Sequence, residues 1–168
     1  WRRGCEEGAD VMELAGGKWG REEGWMQPVN IFTQMPGCAP SAPGLETTGY
    51  EISAEDVAEA MQWPGIIGLG EMMNFPGVVN GDPQMLAEMA ATARAGKTIG
   101  GHYASSDLGP AFHAYAAGGP ADDHESTCEA GAVTRVRQRM RSMIRLGRAW
   151  QDLEAQTTAG PGQVLHPR

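Results

Sequence analysis

From residue 65 to residue 104 the chain reads GIIGLGE, then after a short gap DPQMLAEMAATARAG, then KTIGGHYA. Two short glycine-punctuated apolar runs thus flank one amphipathic stretch, and this order constrains the fold more than any other feature. The runs have strand length, whereas the segment between them carries helix punctuation: Asp82 at the N-cap, Pro83 at the first helical position and Gly96 just past the end. Strand, helix and strand in succession form a crossover unit with parallel strands, because antiparallel neighbours would be joined by a tight hairpin.

The pattern extends in both directions. Upstream, VNIFTQM (29–35) reads as a strand stopped by Pro36, PGCAPSAPG as a loop, and SAEDVAEAMQW as a helix ending before Pro64. Ser53 and Asp56 stand at capping-box spacing, with Val57, Ala60 and Met61 on one face. Downstream, LGPAFHAYAAGG reads as a helix closed by Gly118 and Gly119, and PADDHES as a short strand supported only by its spacing. STCEAGAVTRVRQRM carries Ser126 and Glu129 as a second capping box and a stripe of Val133, Val136 and Met140. SMIRLG and AWQDLEAQ complete the series as strand and helix. Residues 1–27 show no clean period beyond a short helical turn in ADVMELA, and the tail TTAGPGQVLHPR is expected to be unpacked.

The class is therefore α/β, with about five strand–helix units. A closed eight-stranded barrel takes about 250 residues, so a complete one does not fit in 168.

Charge and cysteine usage narrow the function. A net charge of -8 repels phosphate backbones. Arg135, Arg137, Arg139, Arg141, Arg145 and Arg148 do cluster, but no aromatic residues interleave them, so they are read as a solvated helix face and nucleic acid is excluded as a partner. Cys5, Cys38 and Cys128 are odd in number and include no C-x-x-C pair, against both a disulfide framework and a thiolate zinc site. A reducing, cytoplasmic location follows. No run approaches the roughly 18 apolar residues of a membrane span, and WRRGCEEGAD is too charged for a signal peptide.

Three consecutive strand segments end on metal-ligand residue types: GLGE on Glu71, IGGH on His102 and ADDH on His124. Carboxyl ends of parallel strands share one sheet edge, so these side chains can converge despite their separation in the chain. Two imidazoles and a carboxylate suit zinc, iron or manganese. On a buried strand Glu71 would need such a partner, because an unpaired carboxylate is costly there. Gly68, Gly70, Gly100 and Gly101 leave room for close backbone approach. Taken singly, each ligand has a plainer reading: a hydrogen-bonded rim histidine, or a glutamate that caps a helix or pairs with an arginine. His113, inside a helix, and His166, in the tail, are assigned no site role. GIIGLG is not a phosphate loop, since an acid and a proline-interrupted loop follow it rather than a helix N-terminus. The H-x-E with P-C-x-x-C deaminase site is excluded by the absence of a cysteine pair.

GLGEMMNFPGVVNGDPQML, GKTIGGHYASSDLGPAFHAYAAGGPADDHES and RQRMRSMIRLGRAWQDL resemble the bacterial adenine deaminases of the amidohydrolase superfamily. The resemblance covers residues 28–156, leaving 1–27 poorly matched and 157–168 as a disordered tail. It implies a partial TIM-type (β/α) barrel, roughly strands 3 to 7 of a metal-dependent hydrolase acting on the C–N bond of a cyclic amidine. The implied reaction takes adenine to hypoxanthine and ammonia. The implied cofactor is a divalent metal, manganese or iron ahead of zinc, binuclear in the full-length family. By motif position Glu71 is the catalytic carboxylate that bridges two metals, and His102 and His124 are ligands from the next two strands. Glu125 and Asn74 are implied contacts to the substrate or to the ligands, with helix or loop capping as the alternative for each. The family pattern also calls for an H-x-H pair and a final barrel aspartate, and the chain has neither. It is accordingly expected to be a central fragment, inactive alone. The alternative is a non-catalytic metal-binding or interaction remnant whose open edges take a second copy or a complementing chain.

Overall fold

Backbone hydrogen bonding and glycine-permitted close approach organise the chain into parallel strands. The computed structural model describes residues 28, 32–37 and 39–157. β1 (Thr33–Met35), β2 (Ile66–Met72) and β3 (Thr98–Gly101) form a three-stranded parallel sheet in chain order. β4 (Asp122–Asp123) and β5 (Arg141–Ser142) form a parallel pair, Asp122 opposite Arg141 and Asp123 opposite Ser142. β4 lies beside β3, where Ala121 N–H donates to the Ile99 carbonyl at 2.8 Å.

α1 (Ala54–Ala60) connects β1 to β2, α2 (Phe75–Asn80) and α3 (Pro83–Arg94) connect β2 to β3, and α4 (Pro110–Ala117) connects β3 to β4. α5 (Glu129–Arg137) connects β4 to β5, and α6 (Leu153–Thr157) follows. The expected capping box on α1 forms: Asp56 N–H donates to Ser53 Oγ at 3.2 Å while Ser53 N–H donates to Asp56 Oδ2 at 2.8 Å. On α3, Asp82 Oδ1 accepts from the N–H groups of Gln84 and Met85 at 2.9 and 3.2 Å, the cap its sequence implies. Met35, Val57, Leu69, Met72, Ile99, Phe112 and Tyr115 meet in the core between sheet and helices.

Several expectations change in the structure. The stretch NFPGVVN, read as a loop, forms α2: Asn74 Oδ1 accepts from Gly77 N–H at 3.0 Å, Pro76 lies in the first turn where its missing N–H costs nothing, and Gly81 closes the helix at φ 76°. The second capping box does not form. α5 begins at Glu129 after Cys128, and Ser126 Oγ donates instead to the Cys128 carbonyl at 3.0 Å. The buried face of α5 is Gly131, Ala132 and Arg135 rather than the valine stripe, so the arginine run is not one solvated face. β5 is only two residues and α6 starts at Leu153, both shorter than their sequence signals. Residues 29–31 of the first expected strand, the expectations on 1–27, and those on 158–168 lie outside the described residues.

No barrel closes among the described residues; the class is α/β with parallel sheets. Ile67 of β2 remains 41 % exposed, as a residue on an uncovered sheet face would be. No described helix is long and apolar enough to cross a membrane.

Two glycines show how tightly the strands approach. A Cβ on Gly68 would lie 2.2 Å from the Thr98 carbonyl oxygen, and one on Gly101 would lie 1.9 Å from that of Asp122. Both contacts are to backbone, which cannot rotate away. Gly101→Ala is expected to destabilise the chain by about 3 kcal/mol, read as a lower urea midpoint at unchanged slope.

Glu88 of α3 is 1 % exposed. Gln84 Nε2 donates to its Oε1 at 3.3 Å, and its Oε2 has no partner among the described residues. Burial pushes its carboxyl up to about 7, with the negative charge of Asp82 adding to the effect. The folded chain therefore keeps a proton that the unfolded chain releases from about pH 4.5, and stability falls as pH rises through 7. Glu88→Gln should remove a decline on the order of 3 kcal/mol between pH 5 and 8, measured as unfolding free energy against pH.

Candidate metal centre

A bulge aims the first candidate ligand, Glu71. Gly68 pairs with Thr98 and Leu69 with Ile99, but Glu71 then pairs with Gly100, so Gly70 is an extra residue. Glu71 is the penultimate residue of β2 rather than its last. Its side chain is 44 % exposed, which corrects the expectation of a charge stranded in a buried strand: water reaches the carboxylate from one side. His102 directly follows β3 and His124 directly follows β4, so both stand at the carboxyl ends of their strands.

The three side chains converge. Glu71 Oε2 lies 2.8 Å from His102 Nδ1 and 3.0 Å from His124 Nε2, and the two ring nitrogens lie 3.2 Å apart. Their rings meet edge to face, centroids 5.0 Å apart at 74°. Ligand atoms about 2.1 Å from a shared cation would be about 3.0 Å apart in a cis octahedral arrangement and about 3.4 Å apart in a tetrahedral one. The observed separations suit a first-row divalent ion. Beneath the ligands, Tyr103 packs against Phe75, Phe112 and Tyr115 with centroids 4.7, 5.2 and 5.4 Å away, giving the site a stiff apolar floor.

No protein-family model matches the chain. It is 74 % identical over 160 residues to the adenine deaminase of Ruegeria pomeroyi, covering 95 % of this chain and 26 % of that protein. It is 72 % identical over 160 residues to that of Ruegeria sp. strain TM1040, covering 95 % and 27 %. Against the adenine deaminase of Moorella thermoacetica it is 47 % identical over 147 residues, covering 88 % and 25 %. By sequence, the chain is similar to one segment of these adenine deaminases. It spans about a quarter of the length of these relatives.

Glu125 stands at the rim of the Glu71, His102 and His124 cluster. Its Oε1 is 3.5 Å from His124 Nε2 and accepts from Arg145 Nη1 at 2.8 Å. Arg145 in turn donates through Nε to Asp152 Oδ2 at 3.0 Å and stacks over Trp150 at 4.8 Å. Asn74 is brought to the same end of the sheet as the N-cap of α2, with its oxygen engaged by Gly77. His113 is exposed on α4, away from the cluster.

The site also rests on residues the sequence did not single out. Arg135 Nε donates to Asp123 Oδ1 at 2.6 Å, and both side chains are essentially buried, at 2 % and 0 % exposed. Tyr115 is fully buried, and burial pushes its phenol well above the ordinary tyrosine value, so it stays protonated. ADDH held a signal for Asp123, an acid beside a ligand and pointing to the opposite side of its strand. Nothing in the arginine run marked Arg135 or Arg145 as different from their neighbours.

Proposed function

We propose that this segment contributes three metal ligands to an adenine deaminase site: Glu71 would be the carboxylate shared between two divalent cations, and His102 and His124 would be ligands through the nitrogens now turned toward Glu71. The observation that carries the reading is the convergence of Glu71 Oε2, His102 Nδ1 and His124 Nε2 within 2.8 to 3.2 Å. The close similarity to adenine deaminases supports the reaction, hydrolysis of adenine to hypoxanthine and ammonia. Nitrogen and oxygen donors without thiolate suit manganese or iron, and also zinc. A divalent ion there supplies Lewis acidity and lets water ionise near neutral pH.

The protein groups have separate tasks. The open side of Glu71 faces solvent, where a small purine can arrive. Glu125, held by Arg145, offers a fixed carboxylate acceptor beside His124 for an amino or ring N–H of the substrate. Asn74, its oxygen engaged in capping α2, would have to meet substrate through its amide N–H groups. Residues 28–156 belong on this reading to a partial TIM-type barrel at about strands 3 to 7, and β1, β2 and β3 standing side by side in chain order fits consecutive barrel staves. The exposed thiol of Cys128 fits a reducing cytoplasm.

A specific feature also favours the second reading, an interaction segment without its own turnover. Met143, Ile144, Leu146 and Trp150 are 51, 42, 71 and 58 % exposed, close together in the chain after β5. Such a patch is suited to a second copy or a complementing chain.

Two measurements test these readings. The 168-residue chain titrated with Mn(II) or Zn(II) should bind in the micromolar range, at least tenfold more weakly in His102→Asn, and should turn over adenine no faster than background. Substituted for the matching stretch of the Ruegeria pomeroyi adenine deaminase, this segment should support adenine hydrolysis, and His102→Asn in that chimera should cut kcat/KM by at least about 100-fold. A chimera that folds and binds metal but leaves adenine untouched would sink the assigned reaction. Turnover by the isolated chain would sink the remnant reading.

A further inference from the structure

Three consecutive backbone N–H groups around His102 are each received by a side chain rather than by a strand partner. Gly101 N–H donates to Asp122 Oδ1 at 3.1 Å, His102 N–H to the Tyr115 hydroxyl at 2.8 Å, and Tyr103 N–H to Asp123 Oδ2. The Tyr115 hydroxyl in turn donates to the Met72 carbonyl at 3.0 Å, so one oxygen ties the residue after Glu71 to the backbone of His102.

The second tie joins His102 to His124. Asp123 Oδ1 accepts from Glu125 N–H at 2.8 Å and from Arg135 Nε at 2.6 Å. Arg135 Nη2 donates to the Tyr103 carbonyl at 3.1 Å and Nη1 to the Gly131 carbonyl at 3.2 Å. Tyr103, the neighbour of one ligand, is therefore gripped at both its N–H and its carbonyl by a pair rooted beside the other ligand. A buried ion pair is a poor way to gain stability, since desolvation consumes most of its attraction. Its planar, forked geometry is a good way to fix backbone direction.

Resting on the metal-centre reading above, we propose that Tyr115 and the Asp123–Arg135 pair are positioning residues that set the His102 backbone against Glu71 and His124, so that the three ligand atoms converge before a cation arrives. Tyr115 sets the Glu71 to His102 span, and Asp123 with Arg135 sets the His102 to His124 span. None of the three touches the ligand atoms.

The test uses the 168-residue chain, Co(II) as the probe, and the variants Tyr115→Phe and Arg135→Lys, which keep the ring and the charge respectively. Each is expected to weaken Co(II) binding about tenfold and to change the visible cobalt absorption band, as the loss of groups that orient metal ligands does. A purely structural role would lower the thermal midpoint while the folded variant kept the wild-type affinity and spectrum, and that result overturns the proposal. Histidine ring resonances of the metal-free chain supply the independent readout. In both variants the His102 and His124 signals should shift while those of His113, on the same helix as Tyr115, stay in place. Unmoved His102 and His124 signals overturn the positioning role. A wild-type chain that takes no Co(II) overturns the metal centre alone, and the ring signals then decide the positioning role by themselves.

Discussion

The carboxylate of Asp123 is the constraint around which this end of the molecule is arranged. A fully buried charge is tolerable only when its lone pairs are occupied and a counter-charge is close. Asp123 meets both conditions, through the N–H groups of Tyr103 and Glu125 and the guanidinium of Arg135. Satisfying it therefore fixes the backbone on either side of His124 and just beyond His102. Removing either partner would leave the other buried and unpaired, which is why the pair behaves as one unit. The same fork rests against the Phe112 ring, 5.5 Å from its centroid, so the ionic tie is also packed into the aromatic floor.

Around that anchor, the ligand cluster follows from the geometry of parallel strands. Their carboxyl ends share an edge, and glycine at 68 and 101 lets neighbouring backbones approach more closely than any side chain allows. The bulge at Gly70 then selects which side chain reaches the edge. The result is a cluster of donor atoms with packed aromatic rings on one side and solvent on the other.

What could be read from the chain depended on whether a signal was local. Asp82, Pro83 and Gly96 bound α3 through contacts within a few residues, and the Ser53 and Asp56 box on α1 is equally local. Glu71, His102 and His124 were recognisable because each stands at the end of a strand segment, and strand ends in a parallel sheet have only one edge to share. The α2 helix was missed because six residues carrying Pro76 and Gly77 score as a loop by propensity, while the Asn74 cap and packing of Val78 hold it helical. Ser126 and Glu129 have capping-box spacing, yet Ser126 turns to the Cys128 carbonyl and Gln156 Nε2 donates to its carbonyl from α6. A distant partner outweighed a local rule.

The sequence by itself determined the α/β class, the alternation of strand and helix, the three ligand types at successive strand ends, and the similarity to adenine deaminases. These follow from short-range periodicity, turn chemistry and motif. Tertiary structure alone decided that Arg135 is buried while Arg137 and Arg139 are exposed, that Glu71 is half open to water, and that one tyrosine hydroxyl joins two strands. Those outcomes depend on which distant groups meet in space. An arginine becomes a structural fork only where a buried carboxylate waits within reach, and only the folded chain brings Arg135 of α5 to Asp123 of β4.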